Sequence, residues 1–321
     1  MICIAAVSWL ICKTDWVRLN EVWVEADRSL IILGVLVFGP APVFIAIRLK
    51  WLLAIHNVHL TVWQAIKVTF AGNFIIWTLP VGTPGGDSVK AYYVARQTPH
   101  KHEAVTTVFF DRVIGVLGLV LMSGVVVLLN SHNPAFARWG RIIGVLVVML
   151  FLGGGIYYSN RLRKLFRLDR LVSRMPFATH LRRIDKAVFA FRHRIGTVFA
   201  CLVLSLVLQG TVIVSVFLCG WALGMIGDRP IWDFIIYLGY TPICLLAGVM
   251  PLGVMEETFK QLLVDEAGYG AREAAYSLSL LNRAIQLLWS LPGALIVLRG
   301  GYRPKPQEVL EETDPKLEAP S

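Results

Sequence analysis

Residues 79–90 read Leu-Pro-Val-Gly-Thr-Pro-Gly-Gly-Asp-Ser-Val-Lys and follow directly on the apolar run from Phe70 to Leu79. Two prolines and three glycines interrupt the chain where it has already reached membrane depth. Backbone N–H and C=O groups released from a helix find no water in hydrocarbon. Irregular chain is stable there only when it is buried in protein or lines a wet cavity. The stretch is therefore read as the wall of a site.

A second stretch has the same plan. Pro80 precedes Arg112 by 32 positions, and Pro251 precedes Arg283 by the same 32. Without a gap, Gly82 falls on Gly253, Ala104 on Ala275, and Asp111-Arg112 on Asn282-Arg283. Each copy runs from an apolar arm through a Pro-x-Gly break and a short polar helix to a long apolar helix carrying an arginine. Repeats of this size mark transporter folds. Repeat one covers about residues 63–129 and repeat two about 231–298.

Composition sets the environment. The 321 residues are 56% hydrophobic with a mean hydropathy of +0.64, which places the chain among membrane proteins. Crossing a core of roughly 30 Å takes about 20 apolar residues, and several segments qualify. The net charge of +10 sits in loops and reports orientation. Basic and aromatic residues do not interleave as in a nucleic-acid binder, so no nucleic-acid partner is expected. The five cysteines lie in apolar segments without paired spacing and read as small buried residues, so neither a metal nor another cofactor is expected.

In chain order, Met1 to Cys12 lacks the basic start and small-residue cleavage site of a removable signal and is short for a span. Lys13 to Arg28, with Trp16 and Trp23, reads as an interfacial amphipathic helix. Ser29 to Ile47 is a span kinked at Pro40 and Pro42 and stopped by Arg48 and Lys50, and His56 and His59 face solvent in the loop beyond. The first arm is Trp63 to Leu79, and Asp87 or Ser88 caps a helix that runs to Arg96. Thr98 to Glu103 is a polar loop, Ala104 to Leu129 a span, Asn130 to Gly140 a turn, and Ile142 to Tyr158 a further span. Asn160 to Arg194 holds eleven Lys or Arg against Asp169 and Asp185 and reads as cytoplasmic. Ile195 to Met225 then runs outward to the turn Gly227-Asp228-Arg229-Pro230. Ile231 to Met250 is the second arm, Pro251 to Gly253 the second break, Glu256 to Ala267 a short helix, and Ala274 to Leu298 the last span. The transmembrane domain thus covers 1–302, and 303–321 is a disordered cytoplasmic tail rich in Pro and Glu.

Charge placement tests the repeat. With Asn160 to Arg194 inside, Arg299, Arg303 and Lys305 also fall inside only if the second arm turns back at Pro251. Arg48, Lys50, Arg96 and Lys101 fall inside together only if the first arm turns back at Pro80. The expected fold is all-α and polytopic, with about six full spans in the cell membrane. It holds inverted repeats whose two re-entrant broken-helix hairpins dip in from opposite sides.

Within this plan the candidate site residues are Asn73, Gly85, Gly86, Asp87, Lys90, Arg112, Glu256, Glu257 and Arg283. A charge at membrane depth usually faces a partner or a wet pathway, and Arg112 and Arg283 hold matched positions. Gly85, Gly86 and free N–H groups after Asp87, with Lys90, suit a phosphate of a lipid headgroup. No Gly-Lys-Ser/Thr follows, so this is not a nucleotide P-loop. Opposed carboxylates and arginines would close a cavity by ion pairing and open it when a headgroup competes for the pairs.

These residues carry a resemblance. Arg48-Leu49-Lys50-Trp51-Leu52-Leu53, then Asn73, Leu79-Pro80, Gly85-Gly86-Asp87, Lys90, Tyr92 and Asp111-Arg112, resemble the transmembrane region of lysylphosphatidylglycerol synthases, a flippase-like family. In repeat two, Gly253-Val254-Met255-Glu256 looks like the family's Gly-Val-Arg-Glu with Met255 in place of the arginine, and Leu281-Asn282-Arg283 fits its Leu-x-Arg. The resemblance implies lipid translocation between leaflets. The synthases' soluble transferase domain is expected to be absent, since the chain ends about 20 residues past the last span. Lipid synthesis is therefore not expected of it.

Two further readings stand beside a lipid transporter. One is a membrane-embedded transferase on lipid-linked sugars, with Asp87 or Glu256 as base or metal ligand. The other is a non-catalytic lipid binder that recruits a lipid-synthesising enzyme through Asn160 to Arg194. In all three the direct partner is a membrane lipid.

Overall fold

The computed structural model describes residues 16–78, 82–130, 191–248 and 253–299, together with 136, 144, 145 and 147–149. Helices account for nearly all of them, and no strand occurs among the described residues. Several expected features lie outside: the N-terminal segment, Pro80 and Pro251 of the two breaks, most of the Asn130–Gly140 turn and of the Ile142–Tyr158 span, the basic stretch up to residue 190, and the tail.

Helix α1 is Trp16–Glu25 and packs on the last long helix. Asp27 then caps α2 (Arg28–Phe38), its carboxylate accepting from the Ser29 hydroxyl and from the Ser29 and Leu30 N–H groups. The Ser29 hydrogen bonds hold this carboxyl below its ordinary pKa. Gly39 and Pro40 interrupt the helix, and α3 (Ala41–Ile55) continues it. The expected stop at Arg48 and Lys50 is overturned. Arg48 is 5% exposed inside α3, and a guanidinium can be buried there because a carboxylate meets it. His56 corrects a second reading, since its ring stands edge-on to Phe191 at 4.9 Å and burial pushes its pKa down. His59 is exposed.

Helix α4 (Val62–Thr78) is the first arm, and α5 (Gly82–Ala95) packs along it. The two form an antiparallel hairpin. Gln64 and Lys67 near the start of α4 share a small pocket with Tyr93 near the end of α5 and Gln97 just past it. The helix α6 (Lys101–Leu129) begins earlier than expected, so the polar loop before it ends at His100. Beyond the undescribed stretch, a 3-10 turn (Phe191–Arg194) leads into α7 (Ile195–Ala222).

The second arm is α8 (Pro230–Ala247). Gly253, at φ 102°, starts α9 (Val254–Phe259), a conformation in which a side chain would be strained. A π-helical turn, Lys260–Glu266, extends α9. This pair is a hairpin too. Asp233, at the start of α8, accepts from Gly227 N–H (2.8 Å) and from the hydroxyl of Tyr269 (2.6 Å), which follows the π turn. The chain closes with α10 (Arg272–Ser290) and α11 (Pro292–Leu298), bent by 51° at Leu291 where Pro292 removes a helix donor.

Matching elements keep matching intervals: Lys101 and Arg272 open the long helices 171 residues apart, and Ala95 and Glu266 close the short ones at the same separation. Each arm also packs on the other unit's long helix, α4 on α10 and α11, α8 on α6. Four helical stretches are long and apolar enough to cross a membrane (28–55, 101–129, 195–222 and 230–247), and the bent α10–α11 pair makes a fifth.

The main core lies between α2, α6, α7, α8, α9 and α10, around the fully buried Phe136, Tyr237, Tyr240 and Phe259. Small residues and hydroxyls bring these helices close, as expected where lipid supplies little drive for helix association. Ser215 donates to Gly34 O at 2.7 Å, Ser123 to Gly239 O at 2.7 Å, and the Trp289 indole to Val35 O at 2.8 Å.

Candidate functional site

The polar centre starts from the dipeptide Asp111-Arg112. Adjacent residues on a helix point about 100° apart, so α6 presents these two charges to different neighbours. Toward α3, Asp111 accepts two hydrogen bonds from Arg48, at 2.6 Å from Nε and 3.0 Å from Nη2. Arg48 Nη1 donates to the Ser205 hydroxyl on α7 at 2.9 Å. Gly115 faces the guanidinium, since a Cβ there would stand in ordinary contact with it at 3.4 Å from Nη2. Toward α5, Arg112 donates to Asp87 at 2.9 Å and 3.3 Å.

A comparable contact joins α9 and α10. Arg283 Nε donates to Glu256 Oε1 at 2.7 Å, while Glu256 Oε2 accepts from Gly253 N–H at 2.8 Å and so caps α9. Glu256 is 2% exposed, and Arg283 Nη2 is buried without a partner. Glu257 is placed apart from this pair. It accepts from Lys260 at 3.3 Å and from the Tyr276 hydroxyl at 2.8 Å, and that hydroxyl accepts from Arg272.

A cavity of about 190 Å³ opens between all the long helices. Its charged residues, Arg48, Asp87, Lys90, Asp111 and Arg112, are held together by the ion pairs above and form one side, its floor; Asn73, Gln209 and Gln286 also line it. Apolar side chains form the walls, among them Phe38, Ile45, Ile76, Trp77, Val116, Leu119, Val212, Leu245, Leu246, Met255 and Trp289. Lys90 reaches it through a groove made by Gly72, where an added Cβ would come within 2.4 Å of Lys90 Cγ. The Lys90 ammonium is 3.9 Å from Asp87.

Of the residues singled out in the sequence, Asn73, Asp87, Lys90 and Arg112 meet on this cavity, whereas Gly85, Gly86, Glu256, Glu257 and Arg283 are not on its wall. Two details correct the expected phosphate cradle. The helix begins at Gly82, so Asp87 and Ser88 are interior to it and no free helix start follows them. Gly86 serves helix contact instead, because a Cβ there would lie 2.5 Å from Gly72 O. Arg48 was missed as a floor residue. Its signal was a charge inside a run that stays apolar on both sides, from Ala41 to Ile47 and from Trp51 to Ile55.

A comparison with curated proteins finds no match. The family model described as Lysylphosphatidylglycerol synthase TM region matches residues 1–295, nearly the whole chain, with both charged hairpins and every wall of the cavity inside the match. The chain is a membrane protein of the lysylphosphatidylglycerol synthase transmembrane-region family.

Proposed function

We propose that this protein moves a lipid with a charged headgroup between the leaflets of the cell membrane, holding the headgroup in the central cavity. The observation that carries the reading is the cavity's division into an ionic floor and apolar walls inside a membrane protein. A soluble metabolite would waste the walls, and a hydrocarbon would strand the charges; an amphiphile satisfies both. A volume of about 190 Å³ suits a headgroup and leaves the acyl chains in the bilayer.

Inverted repeats with about six full spans complete the reading. Three observations support the inversion: the common 171-residue interval, the reciprocal packing of each arm on the other unit's long helix, and the opposite ends of α7 beside which the two hairpins open. The loop after α3 meets Phe191 just before α7 begins, whereas Asp27 N–H bonds Ala222 O where α7 stops, beside the loop that Asp233 ties to Tyr269. Twenty-eight residues of helix separate those ends by about 42 Å. The basic 160–194 loop and the C-terminus are assigned to the cytoplasm.

Asp87–Arg112 and Glu256–Arg283 then act as ionic latches, one per unit. Arg112 keeps 39% of its side chain exposed and is the latch that a headgroup meets first, while Arg283 keeps 17%. The test is reconstitution into vesicles with a panel of fluorescent and aminoacylated phospholipids, scored for leaflet exchange. Exchange above protein-free vesicles, lost in Arg112→Ala, is expected. No exchange of any lipid in the panel, with folded protein in the vesicles, would overturn the reading.

A further inference from the structure

We propose that the open end of the first hairpin, the end assigned to the cytoplasm, carries a peripheral site for an anionic phospholipid, with the phosphate at Lys67 and a headgroup hydroxyl at Gln97. This inference rests on the membrane family and on the orientation assigned above, but not on translocation.

Three helix ends meet there. Gln64, Lys67 and Val68 near the start of α4, Tyr93 and Gln97 around the end of α5, and Ile296 near the end of α11 line one small pocket. None of these residues lines the central cavity. Lys67 precedes Asn73, which does, by six residues, about 9 Å along α4. The Lys67 ammonium stands over the Trp63 ring at 5.5 Å. Arg96, over the Tyr92 ring at 5.3 Å, and Arg299, one turn beyond Ile296, add two exposed cations at the same end. No acid offsets them locally, since residues 62–86, 88–102 and 274–307 contain no Asp or Glu.

Positive charge alone would report orientation and hold any anionic surface. Two observations make a site of it. Gln97 donates from Nε2 to Tyr93 O at 2.9 Å, which leaves its Oε1 buried and without a donor. An open buried acceptor is costly, and a headgroup hydroxyl beside a phosphate on Lys67 would fill it. Apolar surface also leads from the pocket into the bilayer. Leu291, Leu295 and Leu298 are exposed at i, i+4 and i+7, on one face of the chain that ends in α11, and form a track for an acyl chain. Trp63 and Tyr92, both exposed, flank the pocket as interfacial aromatics do. A soluble anion would use the cations but not the track.

The test is photo-crosslinking of the full chain in phosphatidylcholine vesicles with a phosphatidylglycerol that bears a diazirine near its glycerol backbone, followed by peptide mapping. Adducts are expected on residues 62–68 and 291–299. Added phosphatidylglycerol should suppress them, whereas added phosphatidylcholine, which has no net charge and no headgroup hydroxyl, should not. Lys67→Gln should lower their yield about tenfold, the effect of one charge-assisted contact, and Lys67→Arg should keep it. Adducts confined to other parts of the bundle, or an unchanged yield in Lys67→Gln, would overturn the proposal. Soluble glycerol 1-phosphate is the second arm. It should leave the adducts unchanged at equal concentration, and suppression there would make the ligand a free phosphate ester and overturn the lipid assignment. Leaflet exchange is scored separately in the same vesicles. Adducts at this site without exchange leave this inference standing and remove translocation, whereas exchange without the adducts does the reverse.

Discussion

Arg48 and Asp111 face each other across α3 and α6 through two charge-assisted hydrogen bonds of 2.6 and 3.0 Å, both residues buried, with Ser205 accepting from the guanidinium at 2.9 Å. Removing one partner leaves the other charge buried without its counter-ion. Asp111→Asn or Arg48→Met alone should destabilise the detergent-solubilised protein by about 3–5 kcal/mol. The double variant Arg48→Met/Asp111→Leu should recover most of that loss. Thermal unfolding of the three proteins checks this, and a double variant as unstable as the singles would show that the pair does more than neutralise itself.

Glu256→Gln and Arg283→Ala test the second latch. A glutamine still offers an oxygen to Gly253 N–H, so α9 keeps its cap while the ionic contact to Arg283 is lost. Folded yield should stay near wild type in Glu256→Gln, whereas Arg283→Ala, which leaves the buried Glu256 carboxylate without its cation, should also lower the unfolding temperature; leaflet exchange per folded protein should fall to the background of empty vesicles in both. Normal exchange in both variants would remove the latch from the mechanism.

Gly86→Ala separates packing from headgroup contact. A methyl group there would stand 2.5 Å from Gly72 O and closer still to Ile76 Cγ1, so α4 and α5 must move apart. Such overpacking costs about 1–3 kcal/mol. The expected result is a lower unfolding temperature with unchanged lipid selectivity in the fraction that folds. Altered selectivity at full stability would return Gly86 to the site.

Hairpin inversion is checked by accessibility. His59, His100, Asp228 and Ala271 are exposed and lie in the loops at the two ends of the hairpins. In a cysteine-free background, His59→Cys and His100→Cys should react with an impermeant maleimide from the cytoplasmic face only. Asp228→Cys and Ala271→Cys should react from the opposite face only. Labelling of His59→Cys and His100→Cys from different faces would mean that the first arm crosses the membrane.

Local chemistry accounts for the parts that were legible before any coordinates. Hydropathy and helix-breaking residues determine where a chain in lipid must be helical and where it stops, because each backbone group has to be satisfied within its own segment. That determined the membrane class, the all-helical fold, both arms and the short helices after the breaks, while the family followed from a motif resemblance. Charge at depth likewise singled out Arg112 and Arg283.

Partner choice is different, since it depends on which helix faces which, and spacing along one helix carries no information about that. Arg48 looked like a boundary charge until α6 supplied Asp111, and Asp87 looked like a cap until α5 was seen to start at Gly82. Gly86 likewise looked like an anion cradle until its distance to Gly72 showed a helix contact. Only the packed bundle brings Lys90 through the Gly72 groove to a floor whose carboxylates are already taken. The physical reason is that a buried charge is defined by the groups that surround it, and those come from helices far apart in sequence.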